Sequence, residues 1–193
     1  RANLRYGVMH VADKMARIAK LLGESSGTAI VYVNSRKECE ALARHLRGAQ
    51  ISAEAYHAGL PDTARRQRQQ DWLHGRTRVI VATNAFGMGI DKGDVRLVLH
   101  YRLPFDLESY YQEAGRAGRD GRTAYAIALF DEQDERRLRA WLGSRLPAWG
   151  ELQTLWRALR KRLAGHTAPR AINLEELARE LALPSLTLRR GLD

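Results

Sequence analysis

The chain has 193 residues, 45% of them hydrophobic, with 32 lysines and arginines against 22 aspartates and glutamates and a formal net charge of +10. That is apolar content enough for one domain of ordinary size plus an appendage, and the basic excess, 27 arginines against five lysines, favours polyanionic partners, nucleic acid above all. No run of 18 apolar residues occurs, so no membrane-spanning helix is expected, and the single cysteine, Cys39, excludes an intrachain disulfide and a multi-cysteine zinc site.

Arg1 rather than methionine opens the chain and no signal-peptide pattern follows, which predicts a piece of a longer cytoplasmic protein. Residues 4–11 are extended, and a helix capped by Asp13 buries Met15, Ile18 and Leu22 before closing at Gly23. Residues 28–33 form a short β-branched run, as a strand buried on both faces should. Asn34 and Ser35 then open a helix over residues 36–47, with Cys39, Leu42, Ala43 and Leu46 inward. Cys39 reads as a small packing residue.

A second strand covers residues 51–56, and a helix opening at Pro61 runs to His74 and stops at Gly75. Strands at 78–82, 95–100 and 123–130 follow, the last preceded by a helix carrying residues 110–117. Strict alternation of strand and helix with short loops predicts a doubly wound parallel α/β sheet with its functional loops at the carboxyl ends of the strands.

After Phe130 the pattern is helical only. Residues 131–146 carry Leu138, Trp141 and Leu142, and Pro147 breaks them. Residues 151–163 place Leu152, Leu155, Trp156, Leu159 and Leu163 at helical spacing, residues 165–169 read as a linker, and Asn173 with Glu176 forms a capping box for residues 172–181. A further helix can start at Leu183-Pro184-Ser185. Among these leucines, Trp141, Trp149 and Trp156 are expected in the core, with base stacking as the alternative. Arg157, Arg160, Lys161 and Arg162 form a solvated helix face or a track for a nucleic-acid backbone. Asp131 and Asp134 read as charges matching a helix N-terminus rather than as metal ligands.

The chemistry concentrates in residues 108–122, Glu-Ser-Tyr-Tyr-Gln-Glu-Ala-Gly-Arg-Ala-Gly-Arg-Asp-Gly-Arg. Helical geometry there would put Arg116 and Arg119 on one face, able to converge on one anion, and the guanidinium fork suits phosphoryl oxygens. Glycines between them permit close approach. The strand-to-helix junction at Asn34-Ser35-Arg36 serves either as a phosphate cradle or as a plain helix cap. No Gly-x-x-x-x-Gly-Lys-Ser/Thr string occurs, so the chain lacks a Walker A loop for the β and γ phosphates of ATP.

The pattern Gln112-x-x-Gly115-Arg116-x-Gly118-Arg119 resembles the last motif of superfamily 2 helicases, and the longer string from Glu108 to Gly121 resembles that of RecQ-type DNA helicases. Thr83-Asn84-Ala85-Phe86-Gly87-Met88-Gly89-Ile90-Asp91 is similar to the penultimate motif of the same family, Tyr56-His57-Ala58-Gly59-Leu60 also matches it, and Arg1-Ala2-Asn3-Leu4-Arg5-Tyr6 matches its opening segment loosely. Gly93 departs from the family, where proline is usual, and implies local loop flexibility.

The resemblance covers about residues 1–130. It implies a RecA-like second motor lobe over 1–130, a helical connector over 131–166 in place of the family's four-cysteine zinc subdomain, and over 167–193 the start of a helix-turn-helix or winged helix. Such a lobe serves a 3′ to 5′ DNA helicase, closing on single-stranded or duplex-junction DNA with ATP and Mg2+ held mainly by a first lobe. By resemblance Arg119 is the arginine finger and Arg116 its support; Gln112, Gly89 and Asp91 serve the nucleotide side, and Asn34, Ser35, Arg36, His57, Thr83 and Asn84 the nucleic acid. His57 is equally a loop histidine satisfied by a neighbour. A monomer, no membrane partner, no zinc and a cytoplasmic, nucleoid-associated setting are expected. Alternatives are a superfamily 2 motor for RNA or chromatin and a non-catalytic nucleic-acid-binding module. The chain alone is expected to be inactive as an ATPase, its arginine motif loosely held and Arg119 without an anchored partner.

Overall fold

A computed structural model describes residues 1–87, 90–145, 148–164, 171–183 and 188, with the backbone alone at 143–145. It falls into two compact units, Arg1–Asp134 and Glu135–Asp193.

In the first unit, strands β1 (Leu4–His10), β2 (Thr28–Tyr32), β3 (Ala53–Tyr56), β4 (Val79–Ala82), β5 (Val95–His100) and β6 (Ala124–Phe130) build one parallel sheet in the order β1-β6-β5-β2-β4-β3. The extended opening segment is thus a full strand, in register with β6 from Leu4 opposite Ala124 to His10 opposite Phe130. Helices α1 (Lys14–Glu24) and α2 (Arg36–Gly48) cover one face, while α3 (Asp62–Leu73) and α4 (Leu107–Ala114) cover the other. Side chains of successive strand residues point to opposite faces. Accordingly Ala29 and Val31 pack with Ile18, Leu22, Cys39, Leu42 and Leu46, and Ile30 and Tyr32 pack with Trp72, Phe86 and Ala114.

Local signals place α1, α2 and α3 where the sequence predicts. Asp13 caps α1 through the amide of Ala16 (3.0 Å), and Ser35 caps α2 through that of Glu38 (3.2 Å). Gly75, at φ +76°, closes the segment after α3. Cys39 is buried and its Sγ lies 2.9 Å from the Val81 carbonyl; burial pushes the thiol up to about 12, as suits an inert packing residue.

One feature of this unit is invisible in sequence. Lys14 is 4% and Asp134 2% exposed, and they form an ion pair. Lys14 also reaches Asp131 (3.3 Å) and the Tyr101 carbonyl (3.0 Å), while Arg102 spans Glu38 (2.9 Å) and Asp134 (3.2 Å). Asp131 and Asp134 each accept the other's amide, so they do cap α5 (Glu132–Arg145), and they also neutralise two cations from distant parts of the chain.

The second unit contains α6 (Trp149–Leu163) and α7 (Leu174–Leu181), whose contact is built on Leu155, Leu177 and Leu188, with Leu159 and Leu181 packed beside them. Asn173 caps α7 through the amides of Glu175 and Glu176. Arg162 pairs with Glu180. The expected tryptophan core does not form at two of its three positions: Trp149 is 74% and Trp156 62% exposed, because α6 turns Leu155 rather than either indole toward α7. Trp141 is half-buried. The Pro147 break, the 165–169 linker and the expected helix start at Pro184-Ser185 lie outside the described residues.

Candidate functional site

The arginine motif is a turn, not a helix. Helix α4, capped by Asp106, ends at Ala114, and residues 115–121 run on as successive turns, with Gly118 at φ +63° and Gly121 at φ +83°. A β-carbon on Gly118 would approach Asn3 Nδ2 to 2.6 Å and Ala124 Cβ to 2.9 Å, so both the dihedral and the space require glycine. The turn also lies at the opposite end of the sheet from that expected. Helix α4 starts beyond the carboxyl end of β5 and runs back along the sheet, delivering residues 115–121 to the amino end, where Gly118 N bonds Val95 O (2.9 Å) and Asp120 N bonds Gly93 O (3.2 Å).

Both arginines grip the segment that follows β4. Arg116 Nη1 donates to Gly87 O (2.6 Å), and Arg119 Nη1 donates to Ile90 O (3.1 Å) and to Asp91 Oδ1 (2.7 Å). A β-carbon on Gly87 would lie 2.2 Å from the Arg116 guanidinium, so a larger residue there would displace Arg116 from the carbonyl it holds. The two guanidiniums therefore hold carbonyls three residues apart instead of converging on one point. Arg116 is half-buried, and its Nε is buried without a partner among the described residues. The Arg119 side chain is 32% exposed and that of Asp91 85%. The expectation of an unanchored Arg119 is corrected: it has a partner, supplied by the neighbouring motif. Gln112 is exposed, with its Nε2 3.2 Å from Glu108.

Donors distant in sequence hold the turn from behind. Arg1 donates to Ala117 O (3.0 Å) and Gly115 O (2.7 Å), and Asn3 Nδ2 donates to Gly118 O (2.7 Å) and Arg122 O (2.8 Å). Arg96 pairs with Asp120 (2.6 Å) and holds that carboxyl below the usual carboxylate range. It also donates to Gly93 O (3.1 Å), so the loop expected to be flexible is tied. On the other side His100, fully buried, meets Glu113 Oε2 at 2.9 Å and stacks on Tyr32 (5.6 Å between centroids, 21°). The Tyr32 hydroxyl donates to Phe86 O (3.2 Å), and burial pushes its pKa far up, against the pull of nearby Arg116.

A family model for the helicase conserved C-terminal domain matches residues 13–121, from the start of α1 through this turn. The chain belongs to that family. This helicase lobe is 48% identical over 144 residues to the RecQ-like DNA helicase blm-1 of Caenorhabditis elegans, covering 72% of this chain and 14% of that protein. It is 43% identical over 143 residues to the ATP-dependent DNA helicase RecQ of Pasteurella multocida (strain Pm70), covering 74% and 22%. The chain thus spans less than a quarter of the length of these relatives. Among solved structures, a DEAD box protein from Methanococcus jannaschii aligns at TM-score 0.64 and 27% identity over 72% of this chain and 39% of that one. The E. coli DEAD-box protein SrmB aligns at 0.62 and 29% over 69% and 79%. The helicase lobe is RecA-like, as its parallel six-stranded sheet requires.

At the carboxyl ends of β2, β4 and β3 the lobe gathers its other candidate residues. Strand order makes these ends neighbours: Val33 N bonds Ala82 O (2.9 Å) and Thr83 N bonds Tyr56 O (3.2 Å). Asn34, Ser35, Arg36 and Asn84 are exposed and Thr83 is half-buried. Ser35 is occupied as a cap, Asn34 reaches Leu103 O (3.3 Å), and Arg36 lies over Gly59, where a β-carbon would come within 2.8 Å of its Nη1. His57 stands apart from this surface, 7% exposed with Nε2 on Glu40 (3.1 Å). Gly89 lies outside the described residues. Sequence reasoning passed over Arg1 and Asn3 as binders of the turn; the loose match at residues 1–6 was the available signal. It also passed over His100 and Glu113, which no local pattern marks.

Proposed function

We propose that this chain is the second motor lobe of an ATP-dependent DNA helicase moving 3′ to 5′, which supplies an arginine finger to a nucleotide held mainly by a first lobe and forms part of the single-stranded DNA track. The observation that carries this reading is the division of labour between the two motif arginines. Arg116 braces the loop through Gly87, while Arg119 reaches the surface, its charge matched by a carboxylate that is itself 85% exposed. Exposed pairs of this kind contribute about 0–1 kcal/mol, so a phosphate oxygen can take the guanidinium from Asp91 at little cost.

The residues fit one side of a nucleotide. Arg119 can donate to a terminal phosphate, Asp91 once released can accept, and Gln112 is exposed on the last turns of α4 that lead into the arginine turn, but nothing in the chain replaces a Walker A loop. ATP with Mg2+ supplies the transferable phosphoryl group when bound between lobes. Arg119 then faces developing negative charge with fixed donors, and Arg116, Arg1 and Asn3 keep its loop from moving. Without the first lobe the chain is inactive as an ATPase. Asn34, Ser35, Arg36, Thr83 and Asn84 offer short polar groups and one guanidinium to a strand's phosphates. DNA is favoured over RNA because the relatives of highest identity described above are DNA helicases. The lobe works as a monomer and without zinc.

Strand displacement by a protein joining this lobe to a Walker A lobe tests the reading. DNA duplexes with a 3′ single-stranded overhang should be unwound, and 5′-overhang or RNA duplexes should not. Equal unwinding of RNA would make it another superfamily 2 motor. No ATP hydrolysis at all would leave a nucleic-acid-binding module.

A further inference from the structure

We propose that α6 carries a separate binding surface for single-stranded nucleic acid, formed by Trp149, Gln153, Trp156, Arg157 and Arg160. Tryptophan is rarely left at a surface, yet these two are 74% and 62% exposed. Residues 149, 153, 156 and 160 follow one another at intervals of four, three and four, which puts them in a single stripe along the helix. Leu152, Leu155 and Leu159 floor a shallow apolar groove beside the two indoles, and Leu155 and Leu159 also hold α6 onto α7, so the stripe stands on a packed support.

Charge selects the occupant. Glu151 is the one carboxylate in α6, and it is turned to the helix start, where it accepts the amide of Ala148 (2.7 Å). Arg157, Arg160 and Lys161 form no ion pair among the described residues, whereas Arg162, on the opposite side, is paired with Glu180. Two open indoles beside unpaired cations, with no acid in the stripe, match a polyanion that carries flat rings. The indoles stand seven residues apart, about 10 Å along the helix. An extended strand can place bases on both while its phosphates meet Arg157 and Arg160. An apolar protein partner would use the tryptophans and leave the cations unmatched.

The proposal shares with the reading above its class of ligand and nothing of the arginine turn. The test is binding of labelled oligothymidine by the 193-residue chain. Replacing both indoles, Trp149→Ala with Trp156→Ala, should weaken binding by at least about tenfold, the effect of losing one stacked base. Trp149→Tyr with Trp156→Tyr should restore most of it, and Arg160→Ala should reduce the slope of log affinity against log salt by about one. Circular dichroism should be unchanged in each, because the side chains are exposed. Unaltered affinity of the double alanine variant overturns the proposal, as does a change in oligomeric state with no change in binding, which would make the stripe a contact between copies. If that variant binds normally while Arg36→Ala with Asn84→Ala does not, the motor-lobe track stands and only the α6 surface falls. A chain that binds no oligothymidine overturns the α6 surface and leaves the motor-lobe track, which a first lobe completes, to the strand-displacement assay.

Discussion

Trp72 and Trp156 show how differently the two units of this chain use a tryptophan on a helix. Trp72, on α3, is fully buried, meets Phe86 edge-on at 5.3 Å and donates from Nε1 to Ala29 O (3.2 Å). Trp156, on α6, stands at helical spacing among Leu152, Leu155, Leu159 and Leu163 and yet lies 62% in solvent. The difference is the partner. A parallel sheet presents two apolar faces that must both be covered, so every helix after a strand finds a surface waiting. In residues 135–193 no sheet exists among the described residues, and α6 has only α7 and Leu188 to turn toward. Periodicity identifies an apolar face; it does not identify a cover.

Two measurements press on that contrast. Trp72→Ala should destabilise the first unit by about 3–5 kcal/mol, the usual cost of emptying a large aromatic site, whereas Trp156→Ala should change stability by no more than about 0.5 kcal/mol. Denaturant unfolding of the two variants reads this directly, and comparable losses would mean that Trp156 is covered in solution. A smaller effect is expected at the charge network of the first unit. Burial alone would raise the Asp131 carboxyl, but the Asp134 amide, Lys14 and Arg102 together hold it below the usual range. A depressed carboxyl stabilises the fold above its unfolded pKa, near 4, and that contribution fades as pH falls through the lower folded value. Asp131→Asn should therefore lower the Tm at pH 7, and the gap to the wild type should narrow on acidification below about pH 4. A gap that stays constant would assign the effect to packing instead.

Most of the sheet was legible because its signals are local. Residues 28–33, 78–82 and 95–100 are β-branched or leucine-rich runs, and Asp13 and Ser35 are caps that announce helices. The register of β1 was not legible, since only β6, more than a hundred residues away, makes residues 4–10 a strand. In the site, residue types were readable and geometry was not. Arg116 and Arg119 stood out by spacing, but a left-handed Gly118 makes their segment a turn, and the reversal of α4 moves it to the amino end of the sheet. The pairing of Arg119 with Asp91, and of the turn with Arg1 and Asn3, depends on contacts between segments that no local pattern encodes. The same holds for Lys14 with Asp134.

Arg119→Ala tests the central claim most directly, in a protein that joins this lobe to one with a Walker A loop, by measuring ATP affinity and turnover in the presence of single-stranded DNA. An arginine finger acts on the charge that develops during transfer, and such residues are worth about 10³ to 10⁵ in rate. The account predicts that ATP affinity is retained and turnover falls by at least about a hundredfold. Turnover near that of the wild type would contradict it.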